Sequence, residues 1–332
     1  MPFAYKSMFW ALLAWTALVA QAVAIPERRA VSRTSSPKGC LAVRGNAPLP
    51  GEFASLQAAV NSIGSSNNPA CIFIYPGVYQ ESVDIKIRAP LTLYGSTVDT
   101  KDYKHNAVTF THNLGSYDAG SLDASSTVNV RSSNFSAYNI NFANTYTAGQ
   151  AVALTANGNM TGFYGCSFKS YQDTLYAKNG WQYYSNCYIE GAVDYIFGNG
   201  HAWFGECTIA SSGPGYITAS SRTYDNDTSR YVIDHSTITS AADADDLTGK
   251  VYLGRPWRVN ARVMYQTSTL TGVVRPEGWA PMAEGATPVF QEYGNTGAGA
   301  DTSARKFFTA ADKAVQKRDL WGSAYQWYDT SF

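Results

Sequence analysis

The sequence predicts an all-β solenoid, built from short parallel strands stacked in successive coils. Three observations predict it. The first is an internal repeat. Laid under Gly165–Tyr176, the run Asn186–Gly198 puts Cys187 under Cys166, Ile189 under Phe168 and Asp194 under Asp173, each 21 residues on. A repeat of that length is one turn of a stacked solenoid. The second is a row of apolar anchors: Phe142 (with Ile140), Phe168, Ile189, Ile209, Ile238 and Leu270, spaced by 26, 21, 20, 29 and 32 residues. A constant strand motif at variable spacing means coils with loops of different length. The third is composition. Only 15% of the 332 residues are charged, while Gly, Tyr, Asn, Ser and Thr are plentiful, which favours strands and turns over long helices.

The elements follow in chain order. Lys6, the apolar run Met8–Val19 and the small-x-small Ala22-Val23-Ala24 read as a secretory signal peptide over residues 1–24, too short to span a membrane comfortably. Secretion to the extracellular space is therefore expected. It gives meaning to three N-glycosylation sequons, at Asn134, Asn159 and Asn226. Residues 25–39 read as a linker or short pro-segment, with Arg28-Arg29 as a dibasic pair, and the main domain spans 40–332. Phe53–Ile63 has helical apolar spacing and is expected to cap the open end of the solenoid. Cys71–Tyr79, Ile85–Ile87 and Leu91–Gly95 read as strands. Asp99–Asp123 reads as an irregular loop excursion. Gly213–Arg230 and Ala241–Gly249 read as loops walling a groove, and Phe307–Lys317 as a second capping helix. A solenoid capped at both ends needs no partner, so a monomer is expected.

Lys plus Arg and Asp plus Glu number 25 each, which gives no reason to expect nucleic acid or an anionic membrane as partner. Losing residues 1–24 removes only Lys6 and leaves a net charge of −1. The five cysteines match no zinc spacing. Cys166, Cys187 and Cys207 sit one repeat apart and read as a buried ladder. Cys40 and Cys71 lie outside it, so any disulfide in an oxidising compartment is expected to join those two.

The 21-residue offset also carries chemistry. Adjacent parallel strands lie about 4.8 Å apart, so Asp173 and Asp194 at equal positions of neighbouring coils come close together. Two such carboxylates do not ionise independently. One charged and one protonated near neutral pH is the arrangement acid/base work requires.

Four motifs in order, Gly149–Leu154, Tyr171–Tyr176, Val193–Gly198 and Leu253–Trp257, together resemble the signature set of the pectinesterases, and the resemblance runs from about Cys40 to the C-terminus. It implies a right-handed parallel β-helix that hydrolyses galacturonate methyl esters in pectin, without metal or organic cofactor. Asp194 matches the family's nucleophile and Asp173 its general acid/base. Gln150 and Gln172 match the donors to the tetrahedral oxyanion, and Arg255 matches the arginine holding the nucleophile. Tyr176, Phe197 and Trp257 match aromatics lining the sugar groove. Tyr195 stands where Phe is usual, and no long pro-region precedes the domain, as in fungal members.

The residues themselves agree with this. Ester hydrolysis needs a nucleophile, oxyanion donors and an acid for the leaving alkoxide. Arg255 is expected to lower the pKa of Asp194, and the Asp194 charge to raise that of Asp173. Gln150 and Gln172 are 22 residues apart, again about one coil. Trp279 and Met282 are further candidates for the groove, and Glu190 and Glu206 read as surface charges. Taken alone, either Asp beside a Gln is a turn-stabilising hydrogen bonder; the equal offset and Arg255 favour catalysis. Two other functions compete. A polysaccharide lyase or glycosidase would use close carboxylates too. Ile233-Asp234-His235 is faintly lyase-like, and a lyase would want calcium at Asp243, Asp245 and Asp246. A non-catalytic carbohydrate-binding solenoid would need no Gln/Asp/Arg set.

Overall fold

The structure, a computed structural model, describes residue 1 and residues 31–332. The expected signal peptide and the first part of the expected linker lie outside the described residues. The described remainder of the stretch expected as linker or short pro-segment is docked on the coil. Arg33 exchanges backbone hydrogen bonds with Thr97. Its guanidinium reaches Gly95 O and Asn139 Oδ1 and lies over the rings of Tyr94 and Tyr138.

Every pairing between the named strands is parallel. One sheet has 11 strands, from Leu41–Val43 through Thr161–Tyr164 to Phe308–Ala310. The other has 13 and forms two faces. They join because Tyr188–Gly198 starts beside Ser167–Lys169 and ends beside Leu175–Ala177. The chain thus passes over three faces in each coil. With right-handed crossovers between parallel strands, it is a right-handed parallel β-helix.

The anchors are the coil interior. Phe142, Phe168, Ile189, Ile209, Ile238 and Leu270 pair in register, and each is fully buried. Phe110, Phe142 and Phe168 stack along the axis, as do Phe163, Tyr184 and Phe204. The constant strand motif follows from a constant turn. Asn139, Gly165, Asn186, Glu206, His235 and Thr267 each precede an anchor by three residues, and all are left-handed, with φ between 48° and 57°. Asn and Gly take that conformation at little cost. The next residues inward are Cys166, Cys187 and Cys207, all buried, with each thiol directed at main-chain carbonyls. Burial pushes the Cys166 thiol up to about 12, so it packs as a small apolar group. Cys40 and Cys71, set side by side by the register Leu41↔Ile72, form a disulfide.

Leu56–Ile63 is the first cap. Ser55 Oγ accepts from Ala58 N, and Leu56, Ala59 and Val60 are buried. The second cap is not Phe307–Lys317. Phe308–Ala310 adds a last strand to the first sheet, and the helix is Lys317–Trp321, with a Gln316/Asp319 capping box. Val289–Tyr293 offers an open sheet edge there, and pairing along it takes Phe308–Ala310 as a strand. The C-terminal residues Trp321, Trp327, Tyr328 and Phe332 then cover Tyr138, Tyr164, Tyr183 and Trp203 on the outside of that sheet. Two loop expectations also change. Val108–His112 within Asp99–Asp123 is a strand, and Thr208–Ser220 runs as one strand through Gly213.

Candidate active site

The corner between the two joined faces holds most of the predicted residues. Gln150, Gln172 and Val193 form isolated parallel bridges in consecutive coils, and Asp173 N donates to Val193 O at 3.0 Å. This register sets Asp173 and Asp194 in neighbouring coils, as the repeat predicts. Both are left-handed, with φ of 65° and 51°. For a non-Gly residue that is uncommon backbone; here it turns the chain and aims both carboxyls out of the corner.

The two carboxylates have different partners. Arg255 grips Asp194 with both arms, Nε to Oδ1 at 2.9 Å and Nη2 to Oδ2 at 2.7 Å. Asp173 Oδ2 accepts from Gln150 Nε2 at 2.7 Å. Gln150 Oε1 in turn accepts from Ser116 Oγ at 3.3 Å, which orients the amide. Gln172 is half-buried, and its side-chain amide makes no hydrogen bond among the described residues.

Burial dominates the electrostatics. Asp173 is 3% exposed and Asp194 6%. Burial, and then the charge of Asp194, push the Asp173 carboxyl up to about 7, against the pull of Gln150 and Arg255. Asp194 is also raised, because burial outweighs the Arg255 fork. This corrects the expectation that Arg255 alone sets its direction, and it demotes the neighbour's charge at Asp173 to second place. The order survives: Asp194 ionises first and its charge repels a second ionisation.

Arg255 has a support that the sequence reading missed. Its guanidinium lies 3.9 Å from the centre of the Tyr216 ring, and Tyr216 stacks on Tyr252 at 5.3 Å. The signal was available in the register, since Tyr216 pairs with Val193, the residue before Asp194.

A pit of about 40 Å³ opens here, lined by Gln150, Asp173, Asp194, Phe197, Ala219, Trp257 and Met282. It has room for an ester group or a water but not a sugar ring. Tyr176 stacks on Phe197 at 4.3 Å, and Phe197 meets Trp257 at 5.9 Å, giving an aromatic wall beside the pit. Met282 is 44% exposed at its rim. Trp279 is not there. It is 1% exposed, stacks on Phe290 at 4.2 Å, and donates from Nε1 to Glu292 inside the coil. The strand bridge of Trp279 to Gly254 turns its ring inward, and the apolar interior takes it. Tyr195, next to Asp194, also points inward and bonds Ser211 Oγ at 2.9 Å, so its extra hydroxyl is satisfied. Glu206 is exposed, while Glu190 is half-buried and accepts from Tyr188 and Lys169.

The features that would favour a lyase are elsewhere. Asp243, Asp245 and Asp246 are exposed, and Asp246 is turned onto Thr248. Asp234 pairs with His235 at the first sheet.

The pectinesterase family profile matches residues 46–322. The chain is 54% identical over 317 residues to a probable pectinesterase A of Neosartorya fischeri, covering 95% of this chain and 96% of that one. Pectinesterase A of Emericella nidulans is 52% identical, with 95% and 97% covered. Among solved structures, pectin methylesterase from Aspergillus niger superposes with a TM-score of 0.88 at 53% identity, covering 91% of this chain and all of that one. The carrot pectin methylesterase gives 0.77 at 32% identity, with 84% and 90% covered. A coil corner that pairs a gripped carboxylate with one whose pKa is raised to about 7 thus occurs in a chain that belongs to the pectinesterase family.

Proposed function

We propose that the chain is a secreted pectin methylesterase that uses Asp194 as nucleophile. The observation that carries this reading is the unequal environment of the two aspartates. Asp194⁻, held by Arg255, attacks the galacturonate ester carbonyl, and negative charge moves to the carbonyl oxygen. Gln172 and the second N–H of Gln150 donate to that oxyanion. Asp173, protonated, gives its proton to the departing methoxide, and methanol leaves an acyl anhydride on Asp194. Asp173⁻ then takes a proton from water, the hydroxide attacks the anhydride, and Asp194⁻ is released. No net proton is held by the enzyme at the end of the cycle. The buried thiols of the ladder take no part.

Secretion is supported by residues 1–24 and by the Cys40–Cys71 bridge, which needs an oxidising compartment. Asn134, Asn159 and Asn226 are all exposed, as glycan acceptors must be. Among the described residues no helix is long and apolar enough to cross a membrane. We read the protein as a monomer because Leu56–Ile63 caps the first end of the coil and the C-terminal segment folds back on its own sheet.

The test of the reaction is methanol release from methylated pectin, read beside absorbance of unsaturated uronides. Methanol alone is expected; unsaturated product without methanol would assign a lyase, and binding with neither product a carbohydrate module. Two substitutions sharpen the site. Trp257→Ala removes an apolar face that suits a sugar's C–H surface, with a loss of about 1–3 kcal/mol of binding. It should appear as a raised KM on long pectin; unchanged kinetics would leave Trp257 as packing. Tyr216→Leu frees the Arg255 plane, and a cation–π contact of about 1 kcal/mol corresponds to a kcat loss of about fivefold. Tyr216→Phe keeps the ring and should keep the rate. Equal loss in both variants would show that the ring face is not what holds Arg255.

A further inference from the structure

A column of basic side chains lies around the corner from the pit. Ala202 pairs with Tyr231, and Tyr231 with Val263. The residues just before them, His201, Arg230 and Arg262, therefore share one position in three consecutive coils, about 4.8 Å apart. Tyr231 and Val263 point into the coil, so by strand alternation Arg230 and Arg262 point out of it. Both are half-buried. Among the described residues no carboxylate lies within 4.0 Å of either guanidinium.

The nearby acids are Asp225, Asp227 and Asp319, whose charges reach Arg230 and Arg262 without contact, and the last two are engaged elsewhere. Asp227 accepts from Asn199 Nδ2 at 2.7 Å and Ser229 N at 2.8 Å, and Asp319 accepts from Gln316 N at 2.9 Å. A third arginine, Arg222, stands behind the column. It spends its donors on the carbonyls of Asp227, Asn260 and Asp225, at 2.7, 2.7 and 2.6 Å. Arg262 Nε and His201 Nδ1 are buried with no hydrogen-bond partner in the protein. Burial, then Arg262, bring the Arg230 pKa down to about 10; burial, then Arg222, lower that of Arg262.

Half-buried like charges one strand apart, with acids near but none in contact, are costly unless something closer neutralises them. Paired guanidinium forks suit an oxyanion, which takes two parallel N–H bonds from each. We propose that Arg230 and Arg262, flanked by His201, form a binding site for an oxyanion: inorganic sulfate or phosphate, or the carboxylate of an acidic saccharide. The site also bears on the C-terminal segment, because Trp321 Nε1 donates to His201 O at 3.0 Å. An anion bound beside it fastens that segment to the coil.

The test uses the whole protein at fixed ionic strength, with Arg230→Gln and Arg262→Gln. The wild-type Tm should rise saturably when sulfate or phosphate replaces chloride. Each variant should lose that response, and in chloride each should melt above wild type, because it removes the repulsion. Methanol release should stay at the wild-type level. De-esterified digalacturonate is the third arm. A variant-sensitive shift larger than that of sulfate assigns the site to a uronate carboxylate, and a shift from sulfate or phosphate alone assigns it to an inorganic ion. Calorimetric titration of the wild-type protein with sulfate and with digalacturonate is the check that needs no variant. If no saturable binding is found there, or if wild type and variants respond alike to every anion, the proposal is overturned.

Discussion

Asp194→Asn is expected to lower methanol release from methylated pectin by on the order of 10⁴–10⁶-fold, the range seen when a nucleophile is removed from a hydrolase. An amide oxygen does not form the anhydride, so the loss falls on kcat. The variant also tests the coupling in the dyad. Without the charge of Asp194, the pKa of Asp173 should fall below about 7, since that charge is the second cause of its elevation. It should stay above the ordinary 3.8, because burial is the first cause and is unchanged. Carboxyl titration by NMR reads this directly. Turnover within tenfold of wild type would remove Asp194 from the nucleophile's place, and an unmoved Asp173 would show the two groups to be uncoupled.

The stacking of the two aspartates was legible because a parallel coil converts sequence offset into distance. Cys166/Cys187, Phe168/Ile189 and Asp173/Asp194 share one offset, and the structure sets each pair in neighbouring coils. Variable spacing between Ile209, Ile238 and Leu270 did not hide the coils, since a left-handed turn residue recurs just before each anchor whatever the loop length. The disulfide was legible for the same reason, because Cys40 and Cys71 stand outside the ladder and their strands pair.

What was not legible depends on which way a side chain points once the coil is closed. Trp279 and Met282 are three residues apart in one segment, yet one is core and the other rim. Sequence spacing gives no facing direction in an irregular loop. Phe308–Ala310 carries too few residues to show a period, so its pattern passed for helix. The electrostatic order at the corner was read correctly, but its main cause was not. Asp194 looked governed by Arg255, a partner visible in the motif, while burial, which depends on every coil around it, outweighs that partner. Tyr216 was missed although its register with Val193 follows from the same repeat, because Thr208–Ser220 was divided into strand and loop at Gly213.

Asp173→Asn should separate catalysis from stability. Asn cannot hand a proton to methoxide, so kcat should fall by roughly 10²–10⁴-fold, the usual worth of a general acid. In the wild type, activity needs Asp194 ionised and Asp173 protonated. It should fall on the acidic side as Asp194 takes up a proton, and on the alkaline side as pH passes about 7. Because the groups interact, these limits belong to the pair. The alkaline limb should vanish from the residual activity of the variant. Stability should move the other way. The Asp173 carboxyl is raised in the folded chain from an ordinary 3.8 to about 7. Its contribution is therefore fully present below the unfolded value and is lost as pH rises through the folded one. At about 1.4 kcal/mol per pKa unit, the loss across that window is a few kcal/mol. Asn does not titrate and does not suffer it. Near pH 4 the variant should melt close to wild type, since Asn then replaces a neutral acid of the same shape; at pH 8 it should melt several degrees higher. Melting curves at the two pH values decide this, and a constant difference between them would mean that Asp173 is ionised in the folded protein throughout and is no acid catalyst.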